Sequence, residues 1–485
     1  MESKSSIGKS AAYLTATKLI SLTIGMVTAM LLSRFASLEE YGTYSQMLLI
    51  VTLVTTIFMM GLPNSINYFL AGAENKEEQR FFLSNYYTLS TILSIAAGGV
   101  LLFASPLIVK YFNNPYIMSF TYVLMILPWI NVVGGSIDNV FIVYDKMRML
   151  SIYRISYSIA ILSVIILVIL FKLSFQFFMT YNIVVQAFFI VSIYIIVGNL
   201  SNAWKPRLNK DLIKKIFAFS MPLGFASIIG TLNNQIDTLM VGRLTNTETL
   251  AIYSNAAKEM PVTIIAASIT AVLMPQLVRY LKNNENETAL DLWKNATTLS
   301  YMFICFFVAV LFVFSPQVMS ILYSDKYLPG VPVFRVYSLV LLLRVTYFGI
   351  ILNSIGKTKP IFYCSILCLI LNIILNYLLY SFMGIIGMAV ATFISIAVVA
   401  YLQLYMTSKA INFDIKTIFP WRNLLNISII NLTLGLLFAF LFHLLTQIYT
   451  YNYWLNTIIL GSLWTLLYFF LIRKNALIIW RKLKV

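Results

Sequence analysis

The chain has 485 residues, of which 60% are hydrophobic and 11% charged, against roughly 25% charged in a soluble domain. A soluble fold of this composition would expose large apolar patches and aggregate, which excludes it. The formal charge of +17 suggests nucleic acid only until its placement along the chain is read.

The apolar runs are continuous rather than alternating, so they predict membrane-spanning helices and exclude a β-barrel. In chain order the predicted spans cover 10–34, 42–70, 83–109, 117–144, 151–171 and 175–199, then 214–242, 251–281, 294–322, 331–354, 360–381, 384–408, 424–446 and 453–472. The first is no cleavable signal: it is too long, carries Lys18 in its leading edge, and lacks a small-residue cleavage pattern behind it. With the amino terminus inside, 26 of the 34 Lys and Arg fall on the inner side, which is the positive-inside bias. Both termini are therefore expected in the cytoplasm, with "WKPRLNKDLIKK" and the tail "RKLKV" against anionic headgroups. The charge sets orientation, and no nucleic-acid partner is implied.

One loop is written twice. "SRFASLEEYGTYSQ" at 33–46 returns as "GRLTNTETLAIYSN" at 242–255, matching Arg34 to Arg243, Glu39 to Glu248 and Tyr44 to Tyr253 at an offset of 209. Ser105-Pro106 matches Ser315-Pro316, "DKMR" at 145–148 matches "GKTK" at 356–359, and Pro63 and Tyr68 match Pro275 and Tyr280, at offsets of 210 to 212. The offset covers six spans, an even number, so the copies share one orientation and form parallel repeats. The expected fold is an all-α polytopic membrane protein with fourteen transmembrane helices. Two parallel six-helix bundles related by a pseudo-twofold axis, 1–200 and 214–409, flank a cytoplasmic linker at 201–213. Residues 410–485 add two helices and a basic tail.

No catalytic constellation is present: HExxH, GxSxG, a Walker loop and paired CxxC are all absent. No cofactor or metal site is expected, and Cys305, Cys364 and Cys368 read as packing residues. His443, the single histidine, reads as a neutral imidazole bonded to a neighbouring helix. The informative residues are charges within spans, each costing roughly 2.5–3.5 kcal/mol at a helix centre. Arg344 is the most central, with Arg335 nine residues earlier and placed to face the same side of the tenth helix. Lys258, Glu259, Asn233, Asn234 and Asp237 add polar groups on the seventh and eighth spans, and the first half does not reproduce them. No acid stands beside Arg344 in sequence, so its guanidinium is expected to face a water-filled cavity or an anionic ligand, and its fork suits phosphate oxygens. The bland reading is that Asp237 with Arg243 or Lys258, and Glu259 with an arginine, are buried pairs that lock helices. Arg34 and Arg243 read first as snorkelling at helix ends, and Asp138 and Asn139 as a helix–helix contact or a substrate contact.

The stretch "IDTLMVGRLTNTETLAIYSNA" resembles the seventh-to-eighth helix signature of bacterial polysaccharide flippases of Wzx type, with Asp237, Gly242 and Tyr253 at the matching positions. "SRFASLEEYGTYS" resembles that family's first loop through Tyr41, Gly42 and Tyr44, although the second copy has Ala251 in place of the glycine. "LNIILNYLLYSFMGIIGMAVAT" is similar to the wider multidrug/oligosaccharidyl-lipid/polysaccharide exporter superfamily. The resemblance implies a multi-pass flippase of the cytoplasmic (inner) membrane, without enzymatic activity. It would carry undecaprenyl-diphosphate-linked oligosaccharide across the bilayer for O-antigen or capsule synthesis, by alternating access. Arg344, Arg335, Lys258, Asn233 and Asn234 would bind substrate. Asp237, Glu259 and Asp138 would pair helices or couple a counter-ion, Na⁺ or H⁺. Arg34, Tyr41, Gly42, Arg243 and Tyr253 would form gate loops, and a polymerase of the same pathway would be a partner. Two rivals stand beside this: a multidrug cation antiporter of the same fold, and a lipid-linked glycan polymerase, which the short outer loops disfavour.

Overall fold

The computed structural model describes residues 2–448 and 453–483, with side chains described over 13–447 and 454–483. Met1, residues 449–452 and the Lys484-Val485 end of the predicted basic tail lie outside the described residues. Fourteen described helices are long and apolar enough to cross a membrane. They are α1 Tyr13–Phe35, α2 Leu38–Met59, α3 Lys76–Phe112, α4 Pro115–Val143, α5 Met147–Leu170, α6 Phe175–Ser201 and α7 Lys210–Leu244. After them come α8 Thr247–Lys282, α9 Asn286–Val313, α10 Asp325–Leu343, α11 Thr358–Met383, α12 Ile385–Ile411, α13 Trp421–Gln447 and α14 Trp454–Leu483. No strand occurs among the described residues, so the all-α class and the fourteen spans stand as expected.

The spans are less continuous than their hydropathy. The predicted second span stops at Met59, where Met60 and Gly61 take φ of 42° and 74°, and the rest is a short turn, Leu62–Ser65, followed by a π-helical turn, Ile66–Leu70. Helix α8 breaks after Ala256 and resumes at a 3₁₀ turn, Pro261–Thr263. Met260 there is extended (φ −68°, ψ 144°), because a proline clashes with an α-helical residue before it. Helix α10 runs as Val331–Val340, tightens to 3₁₀ over Leu341–Leu343, and opens at Arg344. The run "VTYF" that follows is β-branched and aromatic, types that lose side-chain freedom in a helix. Thr346 Oγ1 instead accepts the Trp293 indole N–H at 2.9 Å.

The chain divides into two compact units, residues 1–252 with 322–324, and 253–321 with 325–485. In the first, α3 packs on α4, α1 on α5, and α7 along α2. Thr17 donates to Ser151 at 2.6 Å to join α1 to α5. The segment between α6 and α7 is strapped along α3. Ser84 bonds the Lys205 carbonyl, Thr88 Oγ1 accepts the Arg207 N–H at 3.2 Å, and Asn85 Oδ1 accepts the Asn209 N–H at 2.5 Å. Asn209 in turn caps α7 through the Leu212 N–H at 2.9 Å, which satisfies a donor left free at a helix start.

In the second unit α11 packs on α12, and α13 and α14 both pack on α9. Trp464 is fully buried there, stacked on Phe438 with ring centroids 5.1 Å apart and near Phe306 and Phe314. Tyr468 of α14 donates to the Met302 carbonyl at 2.6 Å and Ser428 of α13 bonds the Tyr301 hydroxyl at 2.6 Å, so the last two helices are tied to α9 by polar as well as apolar contact. His443 differs from expectation: its ring bonds Gln447 at 3.1 Å, one turn along the same helix and exposed. An imidazole at that exposed position satisfies itself locally.

Candidate functional site

The two interruptions in the second unit meet. Arg344, just past the 3₁₀ turn of α10, donates from Nε and Nη2 to Glu259 Oε1 at 3.1 and 3.0 Å. Glu259 sits in the break of α8, and the two side chains are 37% and 35% exposed. Two expectations are corrected here. Arg344 is paired, with an acid 85 residues away in sequence, and it does not share a helix face with Arg335, because the helix ends before it. The Lys258 side chain is exposed beside Glu259 and makes no ion pair within its own unit among the described residues. Opened helices inside a bilayer are tolerated where protein or water takes up their free N–H and C=O groups. A break carrying two cations and one acid is therefore a polar locus with net positive charge.

Arg335 does something else. Within its helix it donates from Nε to Ser315 Oγ at 2.7 Å and to the Phe312 carbonyl at 3.3 Å, with its guanidinium 5.5 Å from the Phe312 ring. It caps the carboxyl end of α9, where a cation is favoured. On α7, Asp237 is buried, Asn233 half-buried and Asn234 exposed, all in the first unit.

The first unit has its own ion pair. Arg154 of α5 grips Asp138 of α4 with Nε to Oδ1 at 2.8 Å and Nη2 to Oδ2 at 2.6 Å, while Asn139 donates to the Pro63 carbonyl at 2.8 Å. Of the two readings left open for Asp138, this geometry is the helix–helix contact. Arg154 was missed because it was counted among the inner-side charges. An acid in one apolar run and a base early in the next was the signal available.

The two repeated loops meet within the first unit. Ser37 caps α2, with Glu40 closing a capping box, and Asn246, 209 residues on, caps α8 through the Thr249 N–H at 2.8 Å. Gly42 lies so close to Thr247 that a methyl there would stand 2.1 Å from its carbonyl oxygen. Asn114 clamps the start of α2, donating to Thr43 at 2.8 Å and Gln46 at 2.7 Å, and Gln46 reaches Thr247 at 3.4 Å. Arg243 donates to the Tyr111 carbonyl at 3.2 Å and faces its ring, Arg34 is exposed, and Tyr41 is buried. In the second unit, buried Tyr253 bonds Tyr337 through their hydroxyls at 3.3 Å. The Tyr41–Gly42 element thus packs a loop contact, while Tyr253, the counterpart of Tyr44, packs a helix. At the superfamily-like stretch, Asn372 donates to Thr392 at 3.0 Å and Asn376 to Asn372 at 2.9 Å. Among the described residues no cluster of three His, Cys, Asp or Glu is placed to hold a metal ion.

Comparison with known proteins adds four findings to this geometry. Residues 31–332 match the family described as "Polysaccharide biosynthesis protein". The chain is 24% identical over 280 residues to the capsular polysaccharide biosynthesis protein CapF of Staphylococcus aureus, covering 54% of this chain and 69% of that one. Among solved structures it is similar to the lipid II flippase MurJ in an inward closed conformation, with a TM-score of 0.71 and 17% identity over 95% of this chain and 99% of that one. It is also similar to an inward-facing multidrug resistance MATE family transporter of the MOP superfamily, with a TM-score of 0.65 and 14% identity over 83% and 98%. At these identities the structural likeness shows the fold.

Proposed function

The chain belongs to the polysaccharide biosynthesis protein family, and from that premise we propose that it is a flippase for lipid-linked glycans. It moves undecaprenyl-diphosphate-linked oligosaccharide from the inner to the outer leaflet of the cytoplasmic membrane, for capsule or O-antigen synthesis, by alternating access. The observation that carries this reading is the cationic locus of Arg344 and Lys258 at two helix breaks. A guanidinium fork suits a diphosphate held at its oxygens, while the polyprenyl tail stays in the bilayer. The duplicated register from 33–46 to 242–255 supports two parallel repeats, an arrangement that suits alternating access. With the inside negative, moving a diphosphate outward gains roughly 2.3 kcal/mol per charge per 100 mV if the charge crosses the whole field. Asp237 serves a returning cation in this scheme, Glu259 being held by Arg344, and the polymerase of the pathway takes the product.

The cation-antiporter reading fits less well. An antiporter for cationic drugs needs acids in its binding region, and the first span, 10–34, contains none. The experiment is to extract lipid-linked glycans from cells with and without the protein and to stain surface polysaccharide. Loss of surface glycan with complete single units accumulating on the inner-leaflet lipid is expected, and Arg344→Ala should reproduce it. Unchanged glycans with altered sensitivity to cationic drugs would replace the flippase by the antiporter. Single units reaching the outer leaflet unpolymerised would replace it by a polymerase.

A further inference from the structure

We infer that Glu259 is a built-in competitor for the lipid diphosphate, occupying Arg344 in the empty carrier and giving it up when substrate arrives. The inference rests on the flippase reading above and deepens it. Its ground is a contrast between two arginine–carboxylate pairs in one chain. Arg154 meets Asp138 fork to fork, one nitrogen on each oxygen at 2.8 and 2.6 Å, and both residues stand on helices. That is the saturated geometry, with two parallel charge-assisted bonds. Arg344 meets Glu259 with both nitrogens on one oxygen, at 3.1 and 3.0 Å. Oε2 of Glu259 and Nη1 of Arg344 take part in no hydrogen bond among the described residues. Both residues also lie outside regular helix, in the break of α8 and past the end of α10, where small backbone rotations separate them without unwinding a turn.

A pair that uses half its bonding capacity, with each partner about a third exposed, is poised for exchange. A diphosphate offers the guanidinium several oxygens in its fork plane and carries more charge than a carboxylate, and Lys258, next to Glu259, adds attraction that favours the newcomer. The device works in both directions. While the site is empty, Glu259 neutralises the Arg344 guanidinium, whose bare charge is costly inside a span. After translocation, the tethered carboxylate returns to Arg344 and speeds product release. Glu259 is thus a positioning residue that sets affinity and turnover by occupying the binding group.

The test titrates undecaprenyl diphosphate, without sugar, into purified full-length protein in nanodiscs. Glu259→Gln should bind about two- to fivefold more tightly than the parent, the range expected for releasing an ion pair about a third exposed. Surface-glycan output of the same variant in cells should fall because release slows. Glu259→Asp, with a shorter reach to Arg344, should lie between the two and covers the case in which the glutamine variant does not fold. Arg344→Ala should bind at least about tenfold more weakly, and adding Glu259→Gln to it should produce no gain. Equal or weaker binding by Glu259→Gln, with binding still lost in Arg344→Ala, would overturn the competitor and leave the site in place. A gain that persists without Arg344 would also overturn it, by reducing Glu259 to simple repulsion. Unchanged binding in Arg344→Ala would remove the site itself, and with it the basis of the functional reading.

Discussion

Replacing Gly42 by alanine should loosen the contact between the two repeated loops. The added methyl would stand 2.1 Å from the Thr247 carbonyl oxygen, 2.7 Å from its Cγ2 and 2.9 Å from its carbonyl carbon. The nearest obstacles include backbone, so no side-chain rotation relieves them, and the loop must retreat by roughly 1 Å to reach ordinary contact. Both sides resist: Ser37 and Asn246 cap their helices, and Asn114 clamps Thr43 and Gln46. Overpacking of this kind costs about 1–3 kcal/mol, while alanine returns up to about 1 kcal/mol of helix propensity. The clash therefore wins. If alternating access separates these loops in the open state, the remaining penalty of about 1–2 kcal/mol falls on the closed state alone, shifting the closed-to-open ratio by roughly 5- to 30-fold. Nitroxide labels on the exposed, repeat-matched Glu39 and Glu248 would report this as a longer distance population, with surface glycan falling in parallel. Gly99→Ala, whose methyl meets nothing within 4 Å, is the control for a helical glycine. An unchanged distance distribution in a Gly42→Ala protein of normal thermal stability would refute the idea that this contact holds the loops closed.

Two further outcomes follow from the packing. Trp464→Ala should destabilise the second unit by about 3–5 kcal/mol, the cost of removing a fully buried aromatic, and thermal melting of the purified protein should show it; a small shift would mean that α13 and α14 are held mainly by Tyr468 and Tyr301. A disulfide between Thr88→Cys and Arg207→Cys should leave transport intact, because the strap already lies along α3; loss of transport after verified cross-linking would show that the strap lifts during the cycle.

The fourteen spans were legible because a run of about twenty apolar residues has few other stable homes. The loop repeat was legible too, and the structure adds that its register of 209 carries one helix cap, Ser37, onto another, Asn246. What hydropathy hid were the interruptions. A window over 251–281 averages across Pro261, and one over 331–354 averages across Arg344, so each read as a single helix. The Arg344–Glu259 pair was half legible, since Glu259 reads as the partner of an arginine, but which arginine was hidden for a different reason. An acid was sought beside Arg344 along the chain, while in a helix bundle the partner of a buried charge stands on another helix.

These two oversights have one cause, and together they identify a stronger signal than either gives alone. Lys258 and Glu259 are charges in an apolar run with a helix breaker, Pro261, within three residues. Arg344 is followed by a run of poor helix formers ending at Gly349. Arg335 follows Pro332, but that proline stands in the first turn of Val331–Val340, where a helix tolerates it, so Arg335 stays helical and caps α9. Asp138 lies close behind Gly134 and Gly135, where α4 does yield, but its helix resumes at Ile137 and Arg154 saturates it. A charge in a span costs free energy, and so does an opened backbone in a span. A fold that retains both at one place, on two facing helices and with an unsaturated pair between them, has kept them where the polar groups are used. On the proposed function, the departure from regular helix is therefore where the substrate is met, and the saturated pair in the first unit is by contrast an ion pair that joins two helices.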